Sequence, residues 1–356
     1  MMDKTWWRGG FAGGFSLAIC GLLRAGDLKW RSSVPLPDPI GVAAPFAGVS
    51  GEALLVAGGA HFPGKPPWEG GTKVWTDTVW VLDRPDGRWV RGGRLPDPRA
   101  YGVSLTRKGR VLCLGGGDRR GPVAEVIALQ WDGRRIRVQR GSDVPEALPV
   151  PLALAAGALD EAGVAYVACG TSEPGEVRAS ARVFSWDPAS KRRAWREWPP
   201  LPAEPRILPV VASASEGFFL FGVAALETDG TSSRRRYLRD AWRFRPATGW
   251  QRLADLPRPC AAAASPAPVV GGRIHLLGGD DGSRVGFQPP AAHPGFSKEP
   301  LEYDPGADRW TRRDPMPVSR VTLPSVPWQG RWWLPSGEMR PGVRSPEVWS
   351  VGEAGL

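Results

Sequence analysis

Residues 89–116 read WVRGGRLPDPRAYGVSLTRKGRVLCLGG. Three marks stand at fixed distances in this stretch. Trp89 comes first, Leu95-Pro96 follows six residues later, and Gly116 ends the apolar run that begins at Arg110. The same marks recur along the chain. Leu-Pro or Met-Pro pairs start at Leu36, Leu95, Leu148, Leu201, Leu256 and Met316, at spacings of 59, 53, 53, 55 and 60 residues. A tryptophan precedes five of them by six residues: Trp30, Trp89, Trp195, Trp250 and Trp310. The unit at Leu148 has Ser142 in that place. A glycine follows each pair by 21 or 22 residues, at Gly58, Gly116, Gly170, Gly222, Gly278 and Gly337.

The runs before these glycines, such as ALLVAGG, VAYVACG and RIHLLGG, are short, apolar and bounded by turns, as buried strands are. Alternating runs follow, TVWVLD at 78–83, ARVFSWD at 181–187 and PEVWSV at 346–351. Each unit thus offers four strands, the last carrying the tryptophan. A period near fifty with four strands per unit is the signature of a kelch β-propeller. Trp30 to Pro37 is a unit end with no unit before it, and the unit holding Gly337 lacks a closing tryptophan. The expected fold is therefore all-β: a six-bladed kelch-type β-propeller, its ring closed by the N-terminal strand joining the last blade. A closed ring leaves no free sheet edge. The expected organisation is one propeller domain over 27–356, preceded by an extension at 1–26.

Composition agrees with this reading. The 356 residues include 46 Gly and 38 Pro, which break helices and mark turns. With 42% hydrophobic residues and 18 Trp the chain is too apolar for disorder. The 46 Lys and Arg against 36 Asp and Glu leave a formal charge of +10. The basic residues scatter, except at Arg234-Arg235-Arg236 with Arg239, and no nucleic-acid motif accompanies them, so nucleic acid is not an expected partner. The four cysteines, Cys20, Cys113, Cys169 and Cys260, form no C-x-x-C pair, and Cys113 and Cys169 lie in apolar runs that suit inert buried thiols. Lys4 and Arg8 precede the apolar stretch FAGGFSLAICGLL at 11–23, which suits a signal peptide and an exported, periplasmic or secreted protein.

In a propeller the loops of one face carry function. The long polar stretches after the glycines, at 60–77, 223–239, 280–299 and 338–345, are the candidates. No G-x-S-x-G, H-E-x-x-H or P-loop occurs, and no cofactor or metal is indicated. Of the three histidines, His275 sits within the strand RIHLL and reads as a packed neutral imidazole. Glu338 follows Ser336-Gly337 directly, and Arg344 returns six residues later across Pro341-Gly342. Such a turn can bring both side chains to one pocket. A carboxylate can carry protons, and an arginine can hold a substrate carboxylate through two parallel hydrogen bonds. The pair alone also fits an ordinary loop ion pair.

The segment Gly337-Glu338-Met339-Arg340-Pro341-Gly342-Val343-Arg344 resembles the Gly-Glu-x-Lys-Pro-Gly-x-Arg segment of N-acetylneuraminate epimerases, the kelch-type sialic acid mutarotases. PFAGVSGEALLVAGGAHFPG at 45–64 and RAYGVS at 99–104 are similar to the same family. PPWEGGTKVWTDTVWVL at 66–82 and GGDDGSRVGFQPPAAHPGF at 278–296 resemble its cyclically permuted branch, in which the Gly-Glu motif lies in the last blade. The resemblance spans about residues 27–351. It implies α/β anomer interconversion of N-acetylneuraminate without a cofactor, with Glu338 and Arg344 in the catalytic positions and a small sugar acid as substrate. Weaker substrate-binding candidates are His61, Arg99, Asp280 and Arg320, with Asp281 and His293 nearby in sequence. The competing expectations are a non-catalytic kelch propeller that binds a glycan or protein, and a mutarotase for another sugar.

Overall fold

The structure, a computed structural model, describes residues 28–353 except 142, 177, 191–193 and 229–232. The proposed signal segment and Cys20 lie outside the described residues. Six four-stranded antiparallel sheets make up the ring, and in five of them the spatial order of the strands matches their chain order. Blade 1 holds Phe46–Ser50, Ala53–Ala57, Thr78–Leu82 and Val90–Arg94. Blade 2 holds Val103–Arg107, Arg110–Leu114, Val126–Trp131 and Ile136–Gln139. Blade 3 holds Ala156–Leu159, Ala165–Ala168, Val183–Trp186 and Arg196–Trp198. Blade 4 holds Val210–Ala214, Gly217–Thr228, Ser233–Arg245 and Gly249–Leu253. Blade 5 holds Val269–Val270, Arg273–Leu276, Leu301–Asp304 and Arg309–Arg312.

Blade 6 closes the ring. Its first three strands are Val326–Trp328, Arg331–Pro335 and Val348–Glu353, and its outer strand is the N-terminal Leu28–Ser33. That strand pairs antiparallel with the chain's last strand, from Leu28 opposite Glu353 to Ser33 opposite Val348. The expected six-bladed ring and its mode of closure are both observed. One expectation is corrected. The stretch 223–239, read as a loop, lies largely within the two long strands of blade 4, which extend as a β-ribbon beyond the other blades.

The repeated residues hold neighbouring blades together. The indole N–H of Trp89 donates to the Val34 carbonyl at 2.9 Å, Trp195 to Glu146 at 3.0 Å, Trp250 to Pro199 at 3.1 Å and Trp310 to Ala254 at 2.9 Å. Each acceptor lies two residues before a Leu-Pro pair, so each tryptophan ties its blade to the preceding crossover. The marker glycines permit close approach. A Cβ on Gly58 would stand 2.3 Å from the Arg99 carbonyl oxygen, and one on Gly278 would stand 2.4 Å from that of Arg320. Both have left-handed φ values as well, +66° and +82°. The core fills the spaces between blades. Phe219 and Phe221 of blade 4 pack on Leu276 and Tyr303 of blade 5, and Leu54 and Val56 of blade 1 pack on Trp328 and Trp333 of blade 6.

A closed ring of backbone hydrogen bonds encircles the axis at one end. The N–H of Tyr101 donates to the Ala44 carbonyl, Leu154 to Tyr101, Leu208 to Leu154, Ala262 to Leu208, Thr322 to Ala262 and Ala44 to Thr322, at 2.6–3.2 Å. Each residue precedes the first strand of a blade. All six have left-handed φ values, between +47° and +63°, and none is glycine.

Cys113, Cys169 and Cys260 are free and buried, and burial pushes the thiols of Cys113 and Cys169 up to about 12, which keeps them protonated. His275 is buried at 2% exposure, with Nδ1 3.9 Å from Glu302, itself held by Arg313 through two hydrogen bonds of 2.7 and 2.8 Å. Burial lowers the pKa of His275 from 6.5 to about 4, against the opposing pull of Glu302. The unfolded chain therefore takes up a proton below pH 6.5 that the folded chain refuses until about pH 4. Stability is expected to fall as pH drops through that window, by a total on the order of 3 kcal/mol from this residue. Denaturant unfolding from pH 7 to pH 4 measures the loss, and His275→Gln should flatten the slope.

Candidate active site at the mouth of the propeller

One or two places after each marker glycine, one residue per blade occupies an equivalent site around the axis. These six are Ala60, Gly117, Thr171, Ala224, Asp280 and Glu338, each bridged to the segment that enters its own blade. Four are small or neutral. The two carboxylates stand on adjacent blades, 5 and 6, and both line a cavity of about 220 Å³ over the ring of backbone hydrogen bonds. Tyr101, Leu154, Leu208, Ala262 and Thr322 of that ring also line it.

Glu338 and Arg344 are opposite partners in a hairpin of Glu338–Arg340 and Val343–Arg344, turned by Pro341-Gly342. The hairpin needs Gly342. Its φ is +78°, and a Cβ there would stand 2.5 Å from Pro67. The Glu338 carboxylate accepts from the Gly342 N–H at 2.7 Å and from the Thr322 hydroxyl at 3.3 Å. The Arg344 Nη2 lies 3.6 Å from Glu338 Oε2. Arg344 is buried: Nε donates to the Ala60 carbonyl at 3.2 Å, and the guanidinium sits 4.8 Å from the Phe62 ring centroid. Its Nη1 has no hydrogen-bond partner among the described residues. The sequence expectation that the turn brings Glu338 and Arg344 to one pocket matches this geometry.

Asp280 lines the same cavity and accepts from the Tyr237 hydroxyl at 2.5 Å and from the Gly282 N–H at 3.0 Å. Burial, and then the Asp280 charge, push the Tyr237 phenol well above its usual range, so it stays a donor. Sequence reasoning missed Tyr237, which the blade 4 ribbon carries over the mouth. Lys73 adds a cation, 5.3 Å from the Tyr101 ring centroid.

The other sequence candidates stand elsewhere. Arg99 and Arg320 are buried between blades and do not line the mouth. Arg99 pairs with Glu125, which also binds Arg140 at 2.6 Å. Arg320 pairs with Glu347 and donates to Ser345 Oγ at 3.0 Å. Arg206 repeats the arrangement, gripping Asp240 through bonds of 2.9 and 2.8 Å. These three arginines sit at one register of blades 2, 4 and 6, each tying a crossover to the blade it enters. A buried guanidinium that grips a carboxylate of the blade it enters is placed as a structural brace, and the structure does not bring Arg99 and Arg320 to the mouth with Glu338 and Arg344. His61 lies beside the mouth, in the short hairpin of Ala60–His61 and Val74–Trp75, with Nδ1 3.8 Å from Asp38. Asp281 turns back on its own loop. Although burial acts to raise it, hydrogen bonds from the Ser283 hydroxyl and N–H hold its carboxyl below the usual range. His293 accepts from the Gly295 N–H at 3.0 Å and lines a neighbouring cleft.

Among the described residues no group of three or more His, Cys, Asp or Glu could hold a metal ion, and no helix is long and apolar enough to cross a membrane. The mouth is thus a kelch-propeller site built on a carboxylate, an arginine and a tyrosine–carboxylate pair. Residues 19–138 match the sequence model of the N-acetylneuraminate epimerase family. An N-acetylneuraminate epimerase of Brucella suis is 37% identical over 133 residues, covering 33% of this chain and 34% of that one. One of Yersinia enterocolitica is 34% identical over 134 residues, covering 32% of each. The match spans about a third of the length of these curated relatives, and the resemblance read from the sequence is borne out there. The solved chain described as "Structure of YjhT" has the same fold, with a TM-score of 0.63 and 14% identity over 89% of this chain and 96% of that one.

Breaking a buried charge pair by removing one partner costs about 3–5 kcal/mol. Arg206→Met should therefore lower unfolding stability by that order, read by denaturant titration. The isosteric Glu338→Gln, at the partly exposed mouth, should change it by less than about 1 kcal/mol.

Proposed function

We propose that the protein interconverts the α and β anomers of N-acetylneuraminate, as an epimerase that uses no cofactor. The observation that carries this reading is the convergence of Glu338 and the buried Arg344 at 3.6 Å in the mouth, with Arg344 Nη1 unpartnered. Arg344 offers donors to a substrate carboxylate without leaving its seat between the Ala60 carbonyl and Phe62. That contact sets the anomeric carbon, one bond from the carboxylate, beside Glu338.

The chemistry follows from two proton positions. The Glu338 carboxylate takes the proton of the anomeric hydroxyl. The C–O bond to the ring oxygen breaks as the anomeric carbon becomes a ketone, and the ring oxygen leaves with a proton. After rotation about the adjacent carbon–carbon bond, that hydroxyl adds to the other face of the ketone, and the proton returns to the new anomeric oxygen. No atom is gained or lost, and one carboxylate can shuttle the proton in both directions. The basic and apolar N-terminal segment supports an exported location for this reaction.

Anomer exchange of N-acetylneuraminate, followed by NMR on the full chain, tests the reading against the spontaneous rate. Glu338→Gln should reduce the accelerated rate by at least about 100-fold while leaving the fold intact. An unchanged rate would remove Glu338 from its role. Arg344→Lys keeps the charge but loses the planar fork, and should raise KM by about tenfold or more with a smaller effect on kcat.

A further inference from the structure

A second cavity adjoins the mouth. It measures about 570 Å³, against about 220 Å³ for the mouth, and shares Asp280, Tyr237, Phe296, Pro341 and Gly342 with it. Its own walls are Trp68, from the 60–77 loop, and Arg284, Val285, Phe287 and His293, from the 280–299 loop. Val285 and Phe287 are 67% and 38% exposed, among the few large apolar side chains the described residues leave open to water. Exposed apolar side chains rimmed by polar groups mark ligand grooves.

The cleft is also cationic. Arg284, together with Arg235, which the mouth shares, lines it with one carboxylate, Asp280. The pKa of His293 is lowered by burial first and then by the Arg284 charge, against the opposing pull of Asp280, with Arg340 acting in the same direction as Arg284. Arg284 is positioned by donation of Nη1 to the Gly295 carbonyl at 2.6 Å. Flat apolar faces with guanidinium groups beside them suit a ring that carries a carboxylate.

We propose that this cleft is a second sugar subsite, and that the preferred substrate is a reducing-end oligomer of a sugar acid rather than the free monosaccharide. The proposal rests on the mutarotase reading of the mouth. Ring opening requires a free anomeric hydroxyl, so only the reducing-terminal residue can sit at Glu338. The rest of the oligomer must leave the mouth on one side, and the cleft takes its next residue. Phe287 and Trp68 then flank the second ring, and Arg284 meets its carboxylate.

The test compares reducing-end anomer exchange of the 2→8-linked N-acetylneuraminate dimer with that of the monosaccharide. We expect kcat/KM for the dimer to be greater by about tenfold. Phe287→Ala and Arg284→Gln should each remove most of that advantage and leave the monosaccharide within about twofold. Equal kcat/KM for the two sugars, or equal losses on both in the variants, overturns the proposal. If the folded protein accelerates neither sugar, the mutarotase reading fails instead. Dimer binding by calorimetry then decides the cleft: tighter binding than the monosaccharide, lost in Phe287→Ala, supports it, and no such difference overturns it.

Discussion

Six backbone hydrogen bonds from blade to blade, closed on themselves, are the constraint from which the mouth is built. Ala44, Tyr101, Leu154, Leu208, Ala262 and Thr322 each donate to one neighbour and accept from the other. A closed circuit has no terminal donor or acceptor, so no polar group of the ring is left without a partner at the centre of the molecule. The circuit requires a left-handed backbone at every member, a cost of order 1–3 kcal/mol for each non-glycine residue. Glycine would avoid the cost, yet none of the six is glycine. The gain is a side chain at each position, and five of the six line the mouth cavity. Thr322 shows what this achieves. A β-branched residue is least tolerant of that conformation, and its hydroxyl is the one that reaches Glu338.

The same geometry explains how sixfold regularity yields a one-sided site. Each blade places one residue beside the ring, and in four blades that residue is alanine, glycine or threonine. Asp280 and Glu338 therefore concentrate negative charge over blades 5 and 6. The extended ribbon of blade 4 brings Tyr237 to the first carboxylate, and the hairpin of blade 6 brings Arg344 to the second. The candidate site lies where the repeat is broken, at the two blades that carry a carboxylate in this position.

Legibility followed from range. The marks that set blade count are periodic, and they recur as similar contacts: an indole to a crossover carbonyl in four blades, and a marker glycine close to a backbone carbonyl. They were readable because repetition substitutes for structural knowledge. Glu338 and Arg344 were readable because six residues and one turn separate them. The placement of Arg99 and Arg320 was not legible, because their partners lie 26 and 27 residues away and nothing local distinguishes a brace from a substrate clamp. A signal was present nonetheless. Arg99, Arg206 and Arg320 occupy one register of alternate repeats, which marks a role in the scaffold and not in a single mouth. Tyr237 was hidden for another reason, since it acts only because two strands of blade 4 outgrow their counterparts.

The contrast among the arginines bears on how the mouth would work. In the braces, a carboxylate engages the guanidinium through close, direct hydrogen bonds. At the mouth the Glu338–Arg344 separation is 3.6 Å, longer than a hydrogen bond, and the carboxylate relies on the Gly342 N–H instead. A loose pair of this kind can be shared. Under the proposed reading, a substrate carboxylate that takes the Arg344 donors offsets the positive charge beside Glu338. Tight pairing, as in the braces, would forbid this exchange. Under the proposed reading, the slack in this ion pair is what leaves Arg344 free to meet a substrate, whereas Arg99, Arg206 and Arg320 engage their carboxylates directly.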